Sequence, residues 1–209
     1  MHTRTFLVLA MLLGATFAKD EKKTIPAMKK VERRTIDLAI CLDTSGSMDG
    51  LIDSCRQKIW AIINDLALAK PTPRLRVALL SYGNDGYARD AGWVRLDTGL
   101  TDDLDKVSQQ LFALKTGGGT ELVGRVMQAA LARLDWAKDS KALRIMIVAG
   151  NESADQDKEV SFRLMCRRAI GRDIMVNPIY CTRSEAAGST HSSSWSPASG
   201  QPRARVISR

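Results

Sequence analysis

Histidine is nearly missing from this 209-residue chain: it has two, His2 and His191, and neither falls in the stretch that carries regular apolar patterning. A serine or cysteine nucleophile activated by an imidazole is therefore excluded from that stretch. Aromatic residues make up only 5% of the chain, and none alternate with basic residues, so no stacking platform for single-stranded nucleic acid is visible. The net charge of +8 is dispersed over Lys22-Lys23, Lys29-Lys30, Arg33-Arg34, Arg167-Arg168 and the arginines near the end, which reads as solubilising charge. Cysteine is scarce, and Cys41, Cys55, Cys166 and Cys181 match no zinc spacing such as C-x2-C. Long apolar runs are lacking too: Phe6 to Leu13 falls short of the roughly 20 residues that a spanning helix needs.

What is present is ordinary globular material, 44% hydrophobic and 26% charged, in a length that suits one domain with appendages. Residues 1–18 read as a signal peptide: His2 and Arg4 open it, an apolar run follows, and Thr16-Phe17-Ala18 places small residues for cleavage after Ala18. An uncleaved anchor is the alternative. The expectation is a secreted or periplasmic protein with no membrane span after cleavage. Residues 19–34 form a charged linker. Residues 182–209, rich in Ser, Ala, Gly, Pro and Arg without an apolar period, read as a disordered tail. No closing helix and edge strand follow the last apolar run, so the domain reads as truncated at its C-terminus. Export would permit disulfides. One bridge, Cys166–Cys181, is weighed against four buried free thiols.

Between these flanks, strand and helix patterns alternate. Thr35 to Leu42 is a mostly apolar strand ending in Asp43-Thr44-Ser45-Gly46-Ser47. Leu51 to Ala69 carries apolar residues at helical spacing and stops before Pro71 and Pro73. Leu75 to Tyr82 is a second strand, and Trp93 to Leu96 a short third. A helix is expected over Asp102 to Leu114, capped by Thr101 or Asp102, and another over Glu121 to Trp136 after the Gly117-Gly118-Gly119-Thr120 loop. Leu143 to Ala149 and Ile174 to Tyr180 are the last strands, with a helix from Lys158 to Ile170 between them. This alternation predicts an α/β fold: a doubly wound, mostly parallel sheet with helices on both faces. Right-handed crossovers gather the loops after the strands along one sheet edge, where such folds place their sites.

The Asp43 loop is the candidate site. Asp43, Ser45 and Ser47 stand at alternate positions of a tight strand-to-helix loop, so a carboxylate and two hydroxyls can converge on a hard cation. Mg²⁺ takes oxygen ligands and keeps several waters, so few protein oxygens suffice. The plain alternative is an Asp/Ser helix cap. Asp155, Asp157 and Glu159 read first as a solvated acidic loop capping the next helix, with a second cation site as the sharper alternative. Asp102, Asp103 and Asp105 read as helix N-terminal charges, and Trp60, Trp93 and Trp136 as packing residues.

Residues 35–181 resemble a von Willebrand factor A-type (VWA) domain, and Asp43-Thr44-Ser45-Gly46-Ser47 resembles the first segment of its metal ion-dependent adhesion site. Thr120, in Gly118-Gly119-Thr120-Glu121, falls where the family's threonine ligand lies. The stretches Lys70 to Leu80, Asp155-Gln156-Asp157-Lys158-Glu159 and Val176 to Cys181 resemble a bacterial group of secreted VWA proteins. The resemblance implies a metal set of Asp43, Ser45, Ser47 and Thr120 holding Mg²⁺ (or Ca²⁺ or Mn²⁺). It also implies a coordination position left for an acidic side chain of a protein partner, without catalysis. One departure stands out. Where the family has an aspartate after its fourth strand, this chain has Gly150, with Asn151 and Glu152 as neighbouring outer-shell candidates.

Two other classes compete. An aspartyl phosphotransferase would use Asp43 as nucleophile, but it needs a second carboxylate two residues on, and position 45 is serine. An interaction protein with a degenerate, metal-free site would keep the fold and bind through its loops.

Overall fold

The computed structural model describes residues 33–182. The signal peptide, nearly all of the linker and the tail lie outside the described residues. Five strands form one sheet: β1 (Thr35–Asp43), β2 (Arg74–Tyr82), β3 (Val94–Thr101), β4 (Leu143–Gly150) and β5 (Ile174–Tyr180), in the order β3-β2-β1-β4-β5. All pairings are parallel except β2 with β3. The helices are α1 (Ile52–Ala67), α2 (Leu104–Ala113), α3 (Val123–Arg133) and α4 (Phe162–Ile170).

Side chains of β1 alternate across the sheet, which makes two cores. Leu38, Ile40 and Leu42 face Ile52, Cys55, Ile59 and Ile63 of α1 and Val107 and Leu111 of α2. Ala39 and Cys41 face Val126, Met127 and Ala130 of α3 and Met165 and Ala169 of α4. The helical residues recur at three- and four-residue intervals, so each helix lays one apolar stripe on the sheet. Helices thus cover both faces, as the alternating pattern predicts.

Several elements differ from expectation. β3 extends to Thr101 and runs antiparallel, with register shifts between Val77, Leu79 and Leu80. No helix separates it from β2, and a parallel partner needs a crossover of a dozen or more residues, usually helical. α2 starts at Leu104, with the Asp103 carboxylate accepting from the Lys106 N–H, so the cap is neither Thr101 nor Asp102. Asp102 instead faces Arg74 at 3.7 Å.

Cys166 and Cys181 do not meet. Cys166 packs in the α3–α4 layer and Cys181 in the α1–α2 layer, so the sheet lies between them. All four cysteines are free thiols, of which Cys41 and Cys55 are buried. Trp60 and Trp136 pack against the cores, whereas the Trp93 ring is met by the guanidinium groups of Arg89 and Arg125, each 5.8 Å from its centroid.

In the acidic loop Asp155 and Glu159 are exposed as expected, whereas the Asp157 side chain is buried, and arginines pair all three. Arg125 bonds Asp157 at 2.9 Å and Glu159 at 2.8 Å, and Arg163 bonds Asp155 at 3.0 Å. Among the described residues, no three acids, cysteines or histidines gather to hold an ion. A cation site here must draw on hydroxyls.

Candidate metal centre

β1 is the point where the sheet reverses its winding, with β2 on one side and β4 on the other. In open α/β sheets the crevice beyond the carboxyl ends at this point is the natural site. Asp43 ends β1 opposite Tyr82 of β2, and its neighbour Leu42 pairs with Ala149 of β4, so Gly150 comes beside Asp43. The Asp43 loop then makes a 3-10 turn over Gly46–Met48 before α1 begins.

Asp43 is wholly buried. Its Oδ1 accepts from the Ser45 N–H at 2.8 Å, but its Oδ2 is buried without a hydrogen-bond partner. Burial pushes this carboxyl up to about 7, the Ser45 N–H opposes the shift, and the charge of nearby Glu121 adds to it. Thr44 fixes the strand end: its N–H and its hydroxyl both donate to the Tyr82 carbonyl at 2.9 Å. Ser45 and Ser47 hydroxyls lie 2.9 Å apart, so two of the predicted ligand side chains touch.

The second loop arrives through glycine. Gly117 N–H donates to the Thr44 carbonyl at 3.0 Å, and Ser45 and Gly117 form a parallel bridge. Gly119 has φ +154°, and a Cβ there would lie 2.4 Å from the Gly83 carbonyl oxygen, so a side chain would push the loop off the sheet edge. Beyond it, Thr120 is exposed, and no hydrogen bond joins its hydroxyl to Asp43, Ser45 or Ser47. Glu121 is buried, and its Oε1 lies 3.5 Å from the Ser47 hydroxyl oxygen. Sequence reasoning chose Thr120 and missed Glu121, although both belong to the same four-residue motif.

The third loop follows β4. Asn151 Oδ1 accepts from the Ser47 hydroxyl at 3.0 Å, and its Nδ2 donates to the Ser47 carbonyl at 3.2 Å. Asn151 is thus tied to the Asp43 loop through Ser47. Glu152 follows it and is exposed. Gly150 has a cause that the sequence did not show. A Cβ there would lie 2.8 Å from the Tyr82 hydroxyl and 3.2 Å from Asp43 Oδ2, so Tyr82 crowds the space beside the carboxylate.

The residues present suit a hard divalent ion. Two buried carboxylates, Asp43 and Glu121, share the site, and neither has an ion-pair partner among the described residues. Serine hydroxyls and an unmade carboxylate bond supply the oxygen donors that Mg²⁺, Ca²⁺ or Mn²⁺ accept.

The von Willebrand factor type A domain profile matches residues 37–184. The chain belongs to the VWA family. No curated protein sequence matches it. Among solved structures it is similar to proximal thread matrix protein 1 from the mussel byssus, at a TM-score of 0.56 and 10% identity. That likeness covers 70% of this chain and 35% of the mussel protein, so this VWA chain spans about a third of its length. A second structure of the mussel protein has a zinc-occupied MIDAS motif, with 11% identity, a TM-score of 0.56 and the same coverage of both chains. The SpRpn10 VWA domain is similar at a TM-score of 0.52 and 15% identity, over 71% of this chain and 75% of that one. These likenesses bear on fold. VWA domains commonly mediate protein binding through such a site.

Proposed function

We propose that this VWA chain is an exported protein-binding module that grips an acidic group of a partner protein through a divalent cation at the Asp43 loop. The observation that carries the reading is Asp43 Oδ2, buried and without a hydrogen bond beside a second buried carboxylate. Leaving a buried acceptor unmade costs about 1–3 kcal/mol, more when it is charged, and a bound cation would recover that loss.

Asp43, Ser45 and Ser47 would hold the ion, with Thr120 and Glu121 on the adjoining loop and Asn151 behind Ser47. Mg²⁺, Ca²⁺ or Mn²⁺ bound there supplies positive charge and an open position for a carboxylate. Ser45 N–H orients the aspartate, and the Ser45–Ser47–Asn151 chain orients the hydroxyls. The function is binding without catalysis. No histidine stands in residues 33–182 to activate a serine or cysteine nucleophile, and serine at 45 denies a phosphotransfer mechanism its second carboxylate. Export rests on the pattern of residues 1–18.

A metal-free VWA surface is the second reading. Gly150, with Tyr82 filling the space beside it, favours that one because fewer carboxylates weaken ion affinity. Titration calorimetry with MgCl₂, CaCl₂ and MnCl₂ on chelator-treated protein separates the two. The first reading expects uptake by millimolar concentrations, and chelator-sensitive binding of a glutamate-bearing peptide. No uptake, or peptide binding unchanged by EDTA, would leave the metal-free reading in place.

A further inference from the structure

Cys55 lies in the first turn of α1 and Cys181 directly follows β5, yet their sulfurs are 3.4 Å apart across 126 positions of sequence. Both belong to the α1–α2 layer, where Cys55 is a buried core residue and Cys181 a half-buried one packed against it. Cys41 and Cys166 lie in the other layer, so neither competes for these partners.

We propose that Cys55 and Cys181 are a thiol–disulfide exchange site whose oxidation ties the start of α1 to the end of β5 and clamps two loops of the candidate metal centre. A disulfide needs the sulfurs at about 2.05 Å, so the present 3.4 Å separation leaves about 1.4 Å to close. The tie to the site is direct. The Cys181 N–H donates to the Gly150 carbonyl at 2.9 Å. Gly150 precedes Asn151, which holds Ser47 by two hydrogen bonds, and the Ser47 turn leads into α1. A Cys55–Cys181 bond closes that circuit covalently.

The oxidant is a small-molecule or protein disulfide of the surrounding compartment. Cys181 is the more accessible thiol, and its contact with the Cys55 sulfur lowers its pKa from the ordinary value. As a thiolate it attacks one sulfur of the external disulfide, whose S–S bond breaks and releases the first external thiolate. Cys55 then gives up its proton, attacks the Cys181 sulfur and expels the second. Two protein thiols are oxidised, one external disulfide is reduced to two thiols, and the two protons end on those thiols.

The test is peptide mapping of the full chain after equilibration with reduced and oxidised glutathione at graded ratios, with alkylation before denaturation and again after it. The expected product has a single cross-link joining the Cys55 and Cys181 peptides, with Cys41 and Cys166 still alkylatable once unfolded. Closing so long a loop should raise Tm by about 5–10 °C. Cys55→Ser and Cys181→Ser should each abolish the link, and Cys166→Ser should leave it intact. Amide exchange at Ser47 and Asn151 should slow in the oxidised protein, without any metal added. Four free thiols at every ratio, a Cys166–Cys181 link, a glutathione adduct that persists on Cys181, or unchanged exchange at Ser47 and Asn151 would each overturn the proposal. None of these readouts depends on ion uptake, so failure of the metal reading would leave this result standing, and the reverse also holds.

Discussion

Asp37 and Asp43 lie on the same strand, β1, on the same face of the sheet, and both are wholly buried. Their surroundings differ in kind. Asp37 is saturated: Arg76 Nε and Nη2 donate to its two oxygens at 2.8 and 2.7 Å, and the Ala137 N–H donates at 2.6 Å. Asp43 accepts from Ser45 and keeps Oδ2 without a partner. A buried charge is tolerable when paired and fully hydrogen-bonded, and costly otherwise. The amino-terminal end of the sheet therefore uses its aspartate to lock strands β1 and β2 to the segment after α3. The carboxyl-terminal end leaves its aspartate incomplete, facing a cluster of loops. That unevenness separates a structural carboxylate from one available to a ligand.

The largest effect should come from breaking the saturated end. Asp37→Ala leaves Arg76 and the Ala137 N–H without their shared acceptor, and removing one partner of a buried pair costs about 3–5 kcal/mol. Arg76 retains some access to water, its side chain being 18% exposed, so the lower end of that range is expected. Urea unfolding measures this. Ion uptake by the folded fraction should be unchanged. A loss below about 1 kcal/mol, the range of exposed pairs, would erase the contrast between the two aspartates.

Asp43→Asn should do the opposite, with little loss of stability and at least a tenfold loss of Mg²⁺ affinity by calorimetry. Its pH dependence sharpens the comparison. Burial raises the Asp43 carboxyl to about 7, against about 3.9 in the unfolded chain. Between those values the native state keeps a proton that the unfolded state has lost. The stability contributed by the protonated group is therefore complete below about pH 3.9 and is lost as pH rises through about 7. Metal-free protein should accordingly unfold at lower urea at pH 8 than at pH 5 by this contribution, and the Asn variant should lack that share of the trend. Affinity for Mg²⁺ runs the other way and should climb toward pH 7. An identical pH dependence of stability in wild type and Asn variant would show that Asp43 is not the group responsible.

The parts of this architecture that were legible in the sequence are those set by local pattern. β1, β2 and β4 are largely buried runs bounded by turns, β5 is an apolar run buried only at Ile174, and the Asp43-Thr44-Ser45-Gly46-Ser47 loop follows the first of them. Strand β3 was harder to read, since Asp97 and Gly99 look like turn residues until β2 supplies the other half of the ladder. Glu121 adjoins Thr120, and only the path of the loop over Gly83 decides that the glutamate reaches Ser47. The cysteines show the same limit. Cys166 and Cys181 are near in sequence but separated by the sheet, because α4 and the end of β5 contribute to different layers. Which face a side chain takes is a property of the crossovers, and spacing alone does not carry it.

Gly150 gives the smallest effect and the finest test of why Asp43 is incomplete. A substitution to aspartate would place a carboxylate at the position the VWA pattern expects, so Gly150→Asp alone looks like a repair. The structure argues against that. The new Cβ would lie 2.8 Å from the Tyr82 hydroxyl, tighter than real contacts allow. Overpacking of this kind costs about 1–3 kcal/mol, so the single variant should be less stable and bind Mg²⁺ no better. Tyr82→Phe removes the obstructing oxygen and, with it, only a 3.4 Å hydrogen bond to the Ala149 carbonyl. The double variant should therefore recover part of the stability and bind Mg²⁺ several-fold more tightly than wild type, an energy below the 1.4 kcal/mol of a tenfold change. A double-mutant cycle measured by urea unfolding and calorimetry isolates the coupling between the two positions. If Gly150→Asp alone tightened binding, Tyr82 would not be what keeps the third carboxylate out, and the incomplete state of Asp43 would owe nothing to this packing.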